Sequence, residues 1–252
     1  MEKMIERTAD LVANSNLTLA LTGAGISVES GIPDFRSAEG LWSKFDPNEY
    51  ATITAFRGNP EKVWEMAREM AEIVRRAKPN KAHVGLHELE KIGFLHCIIT
   101  QNIDNLHQAA GSKNVIEYHG NSSMLSCLWC GNKYREEEKR EEYLPRCNCN
   151  KILKPDVVFF GEAVPEEALN RSFLLASSAK VLMVVGTSAV VSPANTIPAI
   201  AKQNGARIIE INEERTDLTD SLTDVFLQGR AGVVLPAIVE AVRRKGIGYL
   251  PF

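Results

Sequence analysis

Residues 17–25, LTLALTGAG, run through apolar and β-branched side chains and break on Gly23-Ala24-Gly25. A strand ending on paired glycines lets backbone approach a phosphate closely. The dinucleotide fingerprint G-x-G-x-x-G is nevertheless incomplete here, because Val28 stands where its third glycine belongs. Asp34-Phe35-Arg36 follows soon after. The arginine fork suits a phosphate or a carboxylate and the aspartate can orient it or a sugar, while a loop salt bridge is the plainer use. Gln101-Asn102-Ile103-Asp104 closes another apolar run, FLHCIIT, with three polar side chains. They read either as a cap for a following helix or as a binding rim. His119 ends VIEYH just before Gly120. Imidazole is the side chain best matched to proton transfer near neutral pH, and a satisfied structural histidine is the alternative. His83, His87 and His96 are expected to be solvated or satisfied, and His107 is open. Four of the five cysteines form two close pairs, Cys127-Leu-Trp-Cys130 and Cys147-Asn-Cys149. That is a ligand set for tetrahedral zinc, with no coordination position left over, so the metal is expected to be structural. The second pair has one intervening residue where two are commoner. Cys97, inside an apolar run, is expected to be a core residue.

These groups need elements to position them. LTLALTG (17–23), FLHCIITQN (94–102), KVLMVVGTS (180–188) and RIIEIN (207–212) are short, nearly continuous apolar runs ending in small or polar residues. Parallel strands buried on both faces have this appearance. Helical patterns separate them: the N-terminal segment, residues 60–77, 81–92 and 193–204, the last with Pro193 placed for a first turn and Gly205 for a stop. Alternation of the two predicts an α/β fold with a parallel sheet, whose ligands bind beyond the carboxyl ends of the strands. Gly23-Ala24-Gly25, Gln101 to Asp104, Gly186-Thr187-Ser188 and Asn212-Glu213 all fall there. Residues 36–78 and 120–154 exceed a minimal nucleotide fold and are expected to meet as a small second domain. The run REEEKREE within the latter reads as a solvated helix face.

At 252 residues the chain suits one large domain, or a large one carrying a small one. The net charge, 29 − 32 = −3, creates no positive field to recommend nucleic acid. A zinc knuckle can bind nucleic acid, but no basic-aromatic interleaving surrounds this one, so none is expected. The N-terminus, MEKMIERTADLVANS, lacks the apolar core of a signal peptide, and no apolar run approaches the roughly 18 residues of a membrane span. Clustered cysteines suit a metal site in a reducing compartment, so a soluble cytoplasmic protein is expected, with no membrane partner.

GAGISVESGIPDFRS, TQNIDNLH, YHGNSS, the paired cysteines, KPDVVFFGE, GTSAVVSPAN and EINEE occur in the order seen in sirtuins, the NAD-dependent protein deacylases of the Sir2 family. The chain resembles them over essentially its whole length. The long GAG…GIPDFRS and TQNID motifs are far more specific than a lone G-x-G. The resemblance implies a Rossmann-like NAD-binding domain (1–35, 79–119 and 155–252), a helical insertion (36–78) and a zinc-binding insertion (120–154), with the active site between them. It implies deacetylation of lysine in proteins or peptides. The acetyl oxygen attacks the ribose carbon bearing nicotinamide, nicotinamide leaves, and an alkylimidate is resolved to lysine and 2′-O-acetyl-ADP-ribose. By the same resemblance His119 is the base that deprotonates a ribose hydroxyl, and Asn102 holds a water or a ribose hydroxyl. Gly23, Ala24 and Gly25 cradle the NAD phosphates, ahead of a mobile cofactor loop in which Val28 need not be glycine. Ser27, Asp34, Phe35 and Arg36 position the cofactor, Gln101 holds the ribose, and Ile103 and Asp104 form the nicotinamide pocket. Gly186, Thr187, Ser188, Asn212 and Glu213 fall where the adenosine half is held. Phe160, Gly161, Glu162, Val191 and Ser192 clamp the substrate backbone as an added strand. Cys127, Cys130, Cys147 and Cys149 bind one Zn2+.

One departure bears on substrate choice. Family members acting on acidic acyl groups carry W-x-x-Y-x-x-R, whereas here Trp64 is followed by Ala67 and Met70, with Arg68 out of register. Acetyl or longer neutral acyl groups are therefore expected. No regulatory tail is suggested beyond Phe252, so a bare catalytic core is expected. Three other readings remain: mono-ADP-ribosyl transfer, in which another nucleophile captures the same ribose carbon; an ordinary nicotinamide dehydrogenase, disfavoured by the missing glycine; and a non-catalytic NAD-binding or zinc-mediated interaction protein.

Overall fold

Strand β1 (Thr18–Thr22) is buried at all five positions, as its unbroken TLALT pattern requires of a strand covered on both faces. A computed structural model describes residues 1–246, so positions 247–252 of the expected NAD-binding domain lie outside the described residues. The strands that follow are β2 (Cys97–Thr100), β3 (Val115–Glu117), β4 (Gly120–Ser126), β5 (Lys133–Arg135), β6 (Lys154–Val157), β7 (Val181–Val185), β8 (Arg207–Asn212) and β9 (Val225–Gln228). Six of them form a parallel sheet in the order β3-β2-β1-β7-β8-β9. The order reverses between β1 and β7, where the loops after the two strands diverge and open a crevice.

Each face of this sheet carries its own core. Ala20, Ile98, Met183 and Ile209 pack under the helices Glu2–Ala13, Lys81–Lys91 and Ala231–Gly246, through Ala9, Val12, Leu86, Leu89, Leu235 and Ile238. Leu19, Leu21, Ile99, Leu182 and Val184 pack under the helices Glu166–Ser178 and Thr196–Gln203. Each such fully buried Leu or Ile stabilises by roughly 1.5–3 kcal/mol. Cys97 lies in the second core, as expected of a strand residue. The expected helix at 193–204 begins later, at Thr196, so the first-turn proline is Pro198 and Pro193 lies ahead of the helix. Its stop is as read: Gly205 takes φ +90, a conformation that a side chain disfavours.

β5, β4 and β6 make a separate antiparallel sheet. Its core joins Leu125, Leu153 and Val157 to Ile53, Phe56, Val63 and Trp64 from the segment of residues 36–78, including the helix Pro60–Arg76. The Trp64 Nε1–H donates to Leu153 O at 2.9 Å, fastening the helix to the sheet. β6 runs across the expected boundary at 154, ending at Val157. The charge run forms one solvated turn, Glu136–Lys139, in which Glu136 pairs with Arg140. No helix among the described residues is long and apolar enough to cross a membrane.

Candidate active site

A cleft of about 1050 Å³ lies between the carboxyl ends of the parallel strands and the smaller sheet with its helix. Every expected cofactor, catalytic and substrate residue contributes to its wall. The floor is built by close approach of two loops. Gly25 N–H donates to Gly186 O at 2.8 Å and Gly23 N–H to Val185 O at 3.1 Å. A β carbon on Gly186, at φ +59, would stand 2.3 Å from Ile26 N, and one on Gly25 would stand 2.9 Å from Gly186 Cα. Glycine is thus needed here for loop against loop. Above the floor, Gln101 Nε2 donates to Thr187 Oγ1 at 3.1 Å and Asn212 Nδ2 to Thr187 O at 3.1 Å, so three strand ends converge on one threonine.

Asn102 is 8% exposed and held on two sides. Its backbone N–H donates to Thr100 Oγ1, and its Nδ2 donates to Gly23 O at 3.1 Å and Ser27 Oγ at 3.2 Å. The Oδ1 therefore remains for the cleft. Ser27 Oγ–H in turn donates to Asp104 Oδ2 at 2.6 Å, while Leu106 N–H donates to Oδ1 at 2.9 Å. Both carboxylate oxygens are engaged, each with a lone pair to spare. Behind this row lie two buried histidines whose rings meet edge to face at 4.9 Å. His83 accepts from Asn80 N–H at Nδ1 and presents Nε2 to Ser27 Oγ at 3.4 Å. His107 Nε2 lies 2.9 Å from Thr22 Oγ1, which donates to Thr100 Oγ1. Burial pushes His83 down to about 4 and His107 to about 3, so both are neutral packing groups near pH 7. His96 is satisfied as well, its Nδ1 accepting from Thr18 N–H.

His119 sits on the turn between β3 and β4. Its Nδ1–H donates to Gln101 O at 3.1 Å, which leaves Nε2 as the basic nitrogen. Burial lowers its pKa from the ordinary value, with the bond to Gln101 O partly opposing the shift. A neutral imidazole lining the cleft can accept a proton.

Asp34 departs from the expected pairing. Its Oδ1 accepts from the backbone N–H of Arg36 and Ser37 at 3.0 and 2.8 Å, shaping the turn, while Arg36 Nη1 reaches Ser188 Oγ at 3.4 Å. Neither residue takes part in a loop salt bridge among the described residues. Trp42, which the sequence reading passed over, stands 5.2 Å from the Phe35 ring and 6.3 Å from the Phe160 ring. The three rings form an aromatic wall of the cleft. Ser122 was missed too. Its hydroxyl and N–H both donate to Ile103 O, fixing the Gln101–Asp104 segment from the second sheet.

The four cysteine Sγ atoms lie within 4.8 Å of one another, with Cys127 to Cys149 at 3.6 Å and Cys130 to Cys147 at 3.4 Å. A zinc ion with bonds of about 2.3 Å to four sulfurs spaces them by about 3.8 Å, so the set fits tetrahedral zinc. Tyr134 Oη, 3.3 Å from Cys147 Sγ, supplies an outer contact.

A sequence model described as the Sir2 family matches residues 23–193. The chain belongs to the Sir2 family. An NAD-dependent protein deacylase of Pyrococcus furiosus is 48% identical to this Sir2 chain over 248 residues, which span 96% of the chain and 99% of that protein. The crystal structure of a Sir2 homologue in complex with NAD superposes with a TM-score of 0.90 at 45% identity, covering 95% of this chain and 94% of that one. A Sir2 protein with a deacetylated p53 peptide and 3′-O-acetyl ADP-ribose superposes at 0.88 with 38% identity, covering 94% and 97%.

Proposed function

We propose that the chain is an NAD-dependent protein lysine deacetylase that transfers the acetyl group to ADP-ribose and releases nicotinamide and 2′-O-acetyl-ADP-ribose. The observation carrying this reading is His119: an imidazole fixed through Nδ1, with its pKa lowered by burial, lining the same cleft as Asn102 in a chain whose fold superposes on relatives holding NAD and a deacetylated peptide. When bound, NAD supplies the ribose carbon that exchanges nicotinamide for the acetyl oxygen. The chain's residues do the rest. His119 Nε2 takes the proton of a ribose hydroxyl, while Asn102 Oδ1 accepts from a water or hydroxyl that its two fixed donors cannot reach. Gln101 holds the ribose, Gly23, Ala24 and Gly25 cradle the phosphates with Arg36 positioning the cofactor, and Gly186, Thr187 and Ser188 lie on the adenosine side. Asn212 and Glu213 hold the adenosine half. Ser27, Ile103 and Asp104 enclose nicotinamide, and Asp34 keeps the loop that carries Phe35 over the reacting carbon. Phe160, Gly161, Glu162, Val191 and Ser192 flank the peptide.

The same reading assigns one structural zinc to Cys127, Cys130, Cys147 and Cys149, and the division into an NAD-binding domain and two insertions at the boundaries given above. It also places the protein in the cytoplasm, which unpaired cysteines support. Ala67 and Met70 line the cleft where acidic-acyl deacylases carry a tyrosine and an arginine, which supports neutral acyl groups as substrates, although Arg68 and Arg75 line it too. Arg68 is stacked on Tyr143 at 3.8 Å.

Mass spectrometry of an acetyl-lysine peptide incubated with protein and NAD tests the function, with His119→Ala beside it. Matched deacetylated peptide, nicotinamide and acetyl-ADP-ribose, lost in the variant, is the expected result. ADP-ribose attached to protein without deacetylation would replace this reading with transferase activity.

A further inference from the structure

Lys154 is a lysine where lysines rarely survive, with 4% of its surface exposed at the start of β6. Its ammonium is satisfied in full: Nζ donates to Pro155 O at 3.0 Å and Val157 O at 2.6 Å, and lies 3.0 Å from Glu162 Oε2. The Phe159 ring covers it at 4.6 Å. The same Glu162 oxygen accepts from Phe159 N–H at 2.8 Å, and Glu162 N–H donates back to Phe159 O at 3.0 Å. The carboxylate of Glu162 is thus turned inward, closing the four-residue turn in which Phe160 is exposed and Gly161 takes φ +85.

This turn has two further attachments. Phe160 exchanges backbone hydrogen bonds with Ala51 and Ile53, and Val158 N–H donates to His119 O at 2.8 Å. The turn that would flank the peptide and the backbone of the base therefore belong to one hydrogen-bonded segment. Its inner end is anchored by the ion pair of buried Lys154 with half-buried Glu162. Removing the lysine leaves a carboxylate that must either stay buried unpaired or swing to water, and the second course releases Phe159 N–H and opens the turn.

We propose that Lys154 is a positioning residue for peptide binding, which holds Glu162 so that the 159–162 turn presents Phe160 and Gly161 to an acylated peptide. The proposal rests on the deacetylase reading above. Steady-state kinetics with an acetyl-lysine peptide and NAD, each varied in turn, test it on the zinc-loaded protein. Lys154→Met is expected to raise the peptide KM about tenfold or more, the scale of a lost buried hydrogen bond to a charge, while the NAD KM stays within about twofold. Glu162→Gln should shift the same parameter less, since its amide oxygen can still accept from Phe159. The double variant should be less impaired than the two single effects multiplied. An unchanged peptide KM in Lys154→Met overturns the proposal, as does an equal rise in both KM values. If Lys154→Met does not fold, Lys154→Gln is read by the same criteria. If neither folds, the pair holds the fold and not the turn, and the proposal is again overturned. Absence of wild-type turnover would remove the deacetylase reading itself, whereas wild-type turnover with an unmoved peptide KM in the variants removes the positioning role alone.

Discussion

The pH response of turnover should report His119. Its pKa is lowered by burial below the ordinary 6.5, and on the deacetylase reading the neutral ring is the active form. A histidine titrating at 6.5 would be about 91% neutral at pH 7.5 and half neutral at pH 6.5, a loss of about 1.8-fold. A lower pKa makes that loss smaller, so kcat/KM should be nearly flat from pH 7.5 to 6.5. It should then fall toward about tenfold per pH unit once the ring protonates. His119→Ala removes the Nε2 base and the donor to Gln101 O, whose carbonyl stays within reach of water in the cleft. Loss of a general base costs about 10²–10⁴-fold in rate, or roughly 3–5 kcal/mol of barrier. NAD affinity, which depends on the glycine loops and Thr187, should persist. The assay is nicotinamide release from an acetyl-lysine peptide between pH 5.5 and 8.5 at constant ionic strength, with NAD binding followed calorimetrically. An acid limb centred above pH 7, or a variant keeping more than about a tenth of the wild-type rate, would refute the assignment.

Three other outcomes follow from the geometry. Because His83 and His107 are depressed to about 4 and about 3, the stability they contribute is present above pH 6.5 and lost as pH falls through that window. Near pH 5 each adds a slope on the order of 1 kcal/mol per pH unit to the urea-derived unfolding free energy, so His107→Gln should flatten the decline; parallel slopes for variant and wild type would sink the claim. Metal analysis should find one zinc per chain, and Cys149→Ser or a strong chelator should release it and speed amide exchange in β4 to β6 while the six-stranded sheet stays protected. Metal retained by Cys149→Ser would remove that cysteine from the ligand set. Trp64→Phe deletes the donor to Leu153 O and should destabilise by about 1–3 kcal/mol, lowering Tm by about 2–12 °C; an unchanged melting temperature would show that this bond does not hold the helix to the small sheet.

β1, β2, β7 and β8 were legible because burial on both faces leaves an unbroken apolar run, and their carboxyl ends carried the polar runs that line the cleft. β4 was not legible: GNSSMLS exposes most of its residues in part and depends on pairing with β5 and β6. The helix Ala231–Gly246 escaped the reading too, and it carries Pro236 in its interior, where a proline argues against a helix. At the site, His119 and Asn102 could be found because each closes a strand-like run. Trp42 and Lys154 could not, since the importance of Trp42 arises from a contact with Phe160, more than a hundred residues on, and that of Lys154 from a turn that brings Glu162 back to it. For Glu162 the sequence places the residue at the cleft, but only the fold reveals that its carboxylate pairs with Lys154.

His119 is attached to both sheets, which on the deacetylase reading puts the base between cofactor and peptide. Its ring is tied to the parallel sheet through Gln101 O, and its neighbour Tyr118 continues that sheet by donating from its N–H to Thr100 O. Its carbonyl instead accepts from Val158, on the segment leaving the small sheet. The chain passes between these attachments at Gly120, where φ is +78 and a β carbon would stand 2.2 Å from Asp156 O. Glycine therefore lets the two sheets meet at this turn with no side chain between them. On the deacetylase reading, His119 is thus tied to the cofactor side by its ring and to the peptide side by its backbone carbonyl, within one short turn.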